Sequence, residues 1–440
     1  MINLISKIIS KLSNSYLYKQ SIISLLIKVI GAIATFGFNI LLARKLGAES
    51  TGIFFLSFTV LMIAVLLSRV GLDNTVLREV SKYALSEQWD KLKGVFSTAI
   101  RITLLMSVLI SFSVYYFSDI IANLFFDMPI MEQTLQLLAY AIVPFSLMFI
   151  VVSVLKGLKK IGEATVAESI IIPCISIIVL YFIIKDNNLL SFLKYYIIIF
   201  YLAVGIAFYF LRSNTLLFSK KAKNYSVTQI LKSSMPLLLV ASMALINTWA
   251  DRIFLGIYST PEDVGIYSIS VKIALLVSFI LVAVNDASSS KFAELYHENK
   301  IKELSQYCIK STNFMAVISL PVLILIIVFA EHILGIFGEE FLTGYIALII
   351  LCAGQFINVA TGSVGQILAM TNRENLLKKS IFIGLISNIT LNYFLVPTYG
   401  MLGAAVATSI GWSLTNIIAL NYIIKEFKIR AHFLGGYFKI

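Results

Sequence analysis

Charged side chains are scarce in this chain: Asp, Glu, Lys and Arg make up 13% of 440 residues, against 59% hydrophobic residues and a mean hydropathy of +0.91. That shortage excludes a soluble globule, which has too little apolar fraction to match and far more charge on its surface. Cysteine is nearly absent. Cys174, Cys308 and Cys352 form no CxxC pair and fall in two apolar spans and one inner loop, which argues against a disulfide framework or a zinc site. The three histidines, His297, His332 and His432, are far apart in sequence, so no metal cluster or catalytic triad takes shape. No glycine-rich phosphate loop precedes a lysine and a hydroxyl residue, and ATP is therefore not the expected energy source.

Long apolar runs fill the space that charge leaves. A membrane-crossing helix needs roughly 20 mostly apolar residues. Twelve such runs lie at about 21–43, 51–72, 95–118, 134–155, 164–184, 190–211, 230–257, 263–288, 311–330, 341–369, 376–396 and 400–424. The expected fold class is an all-α integral membrane protein, with no room for a soluble catalytic domain and no enzymatic activity expected.

Lysine and arginine accumulate on the cytoplasmic side of membrane proteins. With the N-terminus inside, 26 basic residues fall on inner segments, and only Arg44, Lys45, Lys185 and Lys194 fall on outer ones. Ten acids, among them Asp119, Asp127, Glu262, Asp263, Glu339 and Glu340, lie outside. Both termini are expected in the cytoplasm. The formal charge of +12 then reflects a rim facing anionic lipid and not nucleic acid. The first 19 residues lack the apolar core and small-residue site of a cleaved signal. Their Ile5, Ile8, Leu12 and Tyr16 recur at helical spacing, predicting a short helix on the inner surface.

The chain also repeats itself. Residues 49–57 read ESTGIFFLS and residues 262–270 read EDVGIYSIS, identical at four of nine positions with an offset of 213. The same offset pairs Asp73 with Asp286, Arg78 with Lys291, Tyr83 with Tyr296, Lys160 with Arg373 and Tyr181 with Phe394, and superposes the first six spans on the last six. An even number of spans makes the halves enter the membrane in the same direction. The expectation is 12 transmembrane helices in two six-helix lobes related by a pseudo-twofold axis along the membrane normal, rocking about a central cleft. The boundaries follow: an interfacial helix over 1–19, an N-terminal lobe over 20–212, a cytoplasmic linker over 213–228, a C-terminal lobe over 229–425 and a tail over 426–440. A channel built around re-entrant filters lacks support, since no short paired re-entrant segments appear.

Five basic residues fall within spans: Lys28, Arg69, Arg101, Arg252 and Lys272. Arg69 and Arg101 lie near the inner end, where a long side chain reaches lipid phosphates. Lys28 is roughly 13 Å along its helix from Lys19, and Lys272 roughly 15 Å from the outer end of its own, in a core of about 30 Å. Asp251 on the preceding helix approaches a similar depth. Two readings stand together: a buried Asp251–Lys272 ion pair pinning two helices with Arg252 reaching outward, or a cavity wall whose cations hold an anion while the carboxylate exchanges H⁺ or Na⁺. Pro144, Pro173 and Pro321 interrupt spans and can bend them. Gly403, Ala407 and Gly411 form a small-residue stripe suited to tight helix packing.

Three stretches carry a resemblance: LLARKLGAESTGIF after the first span, RVGLDNTVLREVSKY at the end of the second, and DRIFLGIYSTPEDVGIYSISVKIA across the seventh and eighth. With twelve spans and both ends inside, the chain resembles the polysaccharide transporter family, the O-antigen and repeat-unit flippases of the multidrug/oligosaccharidyl-lipid/polysaccharide exporter superfamily. The resemblance covers essentially the whole chain through diffuse motifs. It implies a MATE-like fold in a bacterial cytoplasmic (inner) membrane, moving an undecaprenyl-pyrophosphate-linked oligosaccharide from inner to outer leaflet. It also implies coupling to an H⁺ or Na⁺ gradient, no other cofactor, and a polysaccharide polymerase complex as a possible partner. By helix and depth, Lys272 matches the basic cavity residues of related flippases, with Lys28 and Arg252 beside it as anion-binding candidates. Asp251 and Glu168 are the ion-coupling candidates. The alternative is a drug/cation antiporter of the same superfamily, whose site should be acidic and aromatic; here deep basic residues outnumber deep acids. A noncatalytic scaffold or polymerase partner is the third reading, in which the embedded charges have no ligand.

Overall fold

Gly47, Gly400 and Pro173 set three of the helix breaks in this protein. The structure, a computed structural model, describes residues 16–212, 223, 225–429 and 431–433. Residues 1–15 of the expected interfacial helix, 213–222 and 224 of the linker, and 430 and 434–440 of the tail lie outside the described residues. Among the described residues every regular element is helical. Eight helices are long and apolar enough to cross a membrane, or ten if each of two bent pairs is one span. The difference from twelve has a physical origin in α1 (Tyr16–Arg69) and α15 (Glu374–Phe427), 54 residues each. Each runs through two of the expected spans as one element, interrupted only at Gly47 (φ 78°) and Gly400 (φ 52°), where left-handed backbone favours glycine.

The chain forms two units, Met1–Leu46 with Ser57–Leu245 and Gly47–Leu56 with Ile246–Ile440. The first contains α2 (Leu72–Leu85), α3 (Trp89–Tyr116), α4 (Pro129–Gly157), α5 (Ile161–Ser169), α6 (Ile171–Ile178), α7 (Leu189–Arg212) and the first part of α8 (Val227–Tyr258). Its centre is α4, which packs against α2, α3 and α7 and is buried along most of its length, Pro144 included. Phe145 meets Phe200 at 4.5 Å between ring centroids, and Phe200 meets Tyr196 at 4.9 Å. The fifth span breaks at Ile170 because Pro173 has no N–H to give the Ser169 carbonyl. Gly31 of α1 crosses at that break, where an added Cβ would lie 2.9 Å from the Ser169 oxygen. Arg69 does not snorkel. It is buried, bonds Asp73 at 2.9 Å and lies 4.1 Å over the Phe149 ring, since an acid four residues on offers a nearer partner than lipid. Arg101 is exposed, with its Nε donating to the Ser97 carbonyl.

The second unit holds the rest of α8, then α9 (Pro261–Ala274), α10 (Phe279–His297), α11 (Ile301–Val328), α12 (Ala330–Gly335), α13 (Tyr345–Thr361), α14 (Val364–Met370) and α15. Here α13 is central, packed by α9, α11 and α15. The two repeat-related segments meet within this unit. A Cβ on Gly52 would overlap the Pro261 carbonyl, and one on Gly265 would overlap that of Ala48, so the helices cross backbone to backbone. Glu340 accepts the Ala48 N–H at 2.6 Å, capping the helix as it restarts after Gly47. The small-residue stripe lies between the two arms of α15. Gly411 faces Asn388 and Gly384, and a Cβ there would sit 2.9 Å from the Asn388 Cβ.

Gly265→Val should therefore fail where Gly205→Val, with nothing within 4 Å of an added Cβ, succeeds. Overpacking costs about 1–3 kcal/mol, and a backbone obstacle cannot move aside, so folded protein in the membrane should fall several-fold. Size-exclusion chromatography of detergent extracts measures this; equal monodisperse yields would contradict the close crossing.

Candidate functional site

Asp251 and Arg252 of α8 and Lys272 of α9 come together in the second unit. The C-terminal part of α8 supplies Asp251 and Arg252, and α9 supplies Tyr267, Val271 and Lys272, positions that share one helical face. With Gln355 and Asn358 of α13 and Trp412 of α15 they line a cavity of about 350 Å³. α9 ends beside it. The axis bends by 50° between Pro261–Ala274 and Phe279–Asn285, across Leu275–Ser278, which contains neither glycine nor proline. Tight turns close the gap, with Val277 N–H donating to Ala274 at 3.1 Å and Ser278 N–H to Leu275 at 3.2 Å. Broken helices at membrane depth are tolerated where they line a cavity, and Leu275 and Ser278 do so.

Each of the two cations lies over an aromatic ring. Arg252 is buried, donates from Nε to Ser268 Oγ at 2.9 Å, and lies 4.6 Å over Trp249 and 5.9 Å over Phe55. It does not reach outward, because Ser268 and the indole give its stem and head an interior berth. Lys272 is half-buried with Nζ 4.8 Å over the same Phe55 ring. Cation–π contacts stabilise charge by about 0.5–2 kcal/mol without cancelling it. Two cations and one carboxylate, Arg252, Lys272 and Asp251, thus share the lining.

Asp251 makes its hydrogen bonds elsewhere. One carboxylate oxygen accepts from Asn388 Nδ2 at 2.9 Å and Asn392 Nδ2 at 2.8 Å, and the other from the Tyr267 hydroxyl at 2.9 Å. Tyr267 is bonded in turn to Thr408 Oγ1 at 2.8 Å. All five side chains are buried. The side-chain oxygens of Asn388 and Asn392 accept no hydrogen bond. The close approach at Gly384 and Gly411 brings Asn388 and Thr408 together from the two arms of α15.

Lys28 and Glu168 belong to the first unit. Lys28 is an exposed residue of α1. Glu168, on α5 (Ile161–Ser169), accepts from Lys156 Nζ at 2.6 Å in a partly exposed pair. Sequence reasoning singled out Asp251, Arg252 and Lys272 but missed Tyr267, Asn388, Asn392, Thr408, Gln355, Asn358 and Trp412. The polar residues of α15 carry a readable signal, since Asn388 and Asn392 are four apart in an apolar run and share one face.

Comparison with known proteins agrees with this architecture. The family described as polysaccharide biosynthesis protein matches residues 17–289, and the MatE family matches residues 236–394. The Haloferax volcanii protein named "Probable low-salt glycan biosynthesis flippase Agl15" is 25% identical over 383 residues, 87% of this chain and 78% of the relative. The Shigella flexneri protein named "Putative O-antigen transporter" is 26% identical over 386 residues, 86% of this chain and 90% of the relative. In fold the chain is similar to the structure titled "Lipid II flippase MurJ, inward closed conformation", with a TM-score of 0.74 at 18% identity, covering 92% of this chain and 89% of that one.

Proposed function

The chain belongs to the polysaccharide biosynthesis protein family, and on that premise we propose that it is a flippase for lipid-linked oligosaccharide. The observation that carries this reading is the pair of cations, Arg252 and Lys272, held over aromatic rings beside one cavity. A pyrophosphate and its sugars cannot cross hydrocarbon unaided, because burying unpaired charge and hydroxyls costs many kcal/mol. Cations positioned in advance offset that cost, while the polyprenyl tail stays in lipid. The substrate is a polyprenyl-pyrophosphate-linked oligosaccharide such as an undecaprenyl-linked repeat unit, carried from inner to outer leaflet of a cytoplasmic membrane. Both termini lie in the cytoplasm.

Dividing α1 and α15 at Gly47 and Gly400, and counting each bent pair as one span, gives the twelve crossings of the proposed topology. They distribute as six in residues 20–212 and six in 229–425, and alternating access follows from motion of the two lobes. Lys28 is proposed as a further basic contact for the head group.

Asp251 is the proposed ion-coupling group, with Glu168 held in reserve by its pairing to Lys156. Asn388 and Asn392 present Nδ2 to Asp251 and leave buried side-chain oxygens without a partner; turning both amides would add those oxygens to the Asp251 carboxylate and Thr408 Oγ1, a donor set of the kind hard cations take. On that ground Na⁺ is proposed over H⁺ as the driving ion.

Leaflet accessibility tests the reading in cells. In a strain lacking its own flippase, expression should make lipid-linked oligosaccharide reachable by an externally added lectin. A rise in organic-cation efflux with no change in lectin binding would favour the antiporter branch, to which the MatE match over residues 236–394 also points.

A further inference from the structure

We propose that Trp412, Gln355 and Asn358 form a pyranose subsite, which holds the sugar attached directly to the pyrophosphate. The inference rests on the flippase reading above and adds to it the residues that grip sugar. Three observations lead to it. Trp412 lines the cavity, is half-buried, and has no aromatic ring against it among the described residues. An indole face is slightly negative and the C–H face of a pyranose slightly positive, so the two stack. Such a ring on a cavity wall, with no partner ring of its own, offers that face.

The amide pair supplies direction. Gln355 and Asn358 are three residues apart on α13, line the same cavity, and are joined by Asn358 Nδ2 donating to Gln355 Oε1 at 3.2 Å. That single bond fixes both amides and directs the donor of Gln355 and the acceptor of Asn358 to other partners. A donor and an acceptor side by side match a sugar hydroxyl pair or an acetamido group, each of which both gives and receives.

Size selects which sugar. A cavity of about 350 Å³ is near the lower end of small-molecule sites, which run roughly 300–1,000 Å³. A pyrophosphate with one sugar fills a space of that size, and the further sugars of a repeat unit extend beyond it. Arg252 and Lys272 share this cavity with Trp412, so an anion on the cations leaves only the adjoining sugar within reach of the indole. The outer sugars are then read weakly or not at all by this site, and selectivity concentrates on the first.

Binding to the purified full-length protein tests this. The probes are a short-chain polyprenyl pyrophosphate and the same lipid bearing one glucose, galactose or N-acetylglucosamine. Wild type should bind at least one glycosylated lipid about tenfold more tightly than the bare one, the size expected for a stacking contact plus one or two net hydrogen bonds. Trp412→Ala and, independently, Asn358→Ala should erase most of that gain while leaving affinity for the bare lipid unchanged. Trp412→Phe, which keeps a ring face, should retain part of it. Lys272→Gln should weaken bare and glycosylated lipids alike. If the tenfold gain survives both alanine variants, or no sugar produces a gain, the subsite is overturned while the pyrophosphate reading stands. If wild type binds neither lipid, both fall.

Discussion

Lys272→Ala is expected to reduce delivery of lipid-linked oligosaccharide to the outer leaflet by about 10- to 100-fold at equal membrane level. A charge-assisted hydrogen bond contributes about 1.5–3 kcal/mol, and the other cation on the lining, Arg252, already donates to Ser268. Lys272 lies over Phe55 and beside Arg252's own aromatic seat, so its removal halves the cationic pair and leaves the fold's backbone contacts intact. Lys272→Arg should recover much of the rate, since a guanidinium also binds phosphate and stacks on a ring. Full activity of the alanine variant would mean that the cation has no ligand, as a scaffold role requires.

Asp251 should separate two effects that one residue combines. Asp251→Ala removes the buried acceptor that Tyr267, Asn388 and Asn392 share, leaving Tyr267 with Thr408 and Asn392 with the Asn388 carbonyl. Three hydrogen bonds to a charged group are lost, each a net contribution of about 1.5–3 kcal/mol, so the variant should lose several degrees of thermal stability in detergent, or fail to accumulate. Asp251→Asn keeps the shape and one acceptor while removing the charge. It should accumulate, yet its flipping rate should no longer respond to an imposed Na⁺ gradient. A variant that still responds would move the coupling site elsewhere, with Glu168 next to be tested.

How much of this was readable beforehand differs by residue type. Charges in apolar runs are conspicuous, and so Asp251, Arg252 and Lys272 stood out by depth alone; the same arithmetic could not say that aromatic rings, and not an Asp251–Lys272 pair, seat the cations. Asn388 and Asn392 share a face of an apolar run, which spacing records, but their partner is not local: folding brings them, with Thr408, to Asp251 from 137 to 157 positions away. Gly47, Gly52, Gly265 and Gly400 carried no local signal of their own, although the repeat that pairs Gly52 with Gly265 was visible. Their role depends on backbone approach, which spacing does not record. Arg69 looked like a snorkelling residue because its depth suited one, while Asp73 four residues on gave the competing partner.

Reconstitution tests the central claim most directly. Purified protein in liposomes, with a fluorescent polyprenyl-pyrophosphate-linked oligosaccharide in both leaflets, is treated with a membrane-impermeant glycosidase. The account predicts that wild type lets the enzyme reach essentially all of the substrate at a rate set by protein content, whereas Lys272→Ala liposomes pass the outer-leaflet half about 10- to 100-fold more slowly. Stalling at that half with wild type, in liposomes that nevertheless move an organic cation, would contradict it.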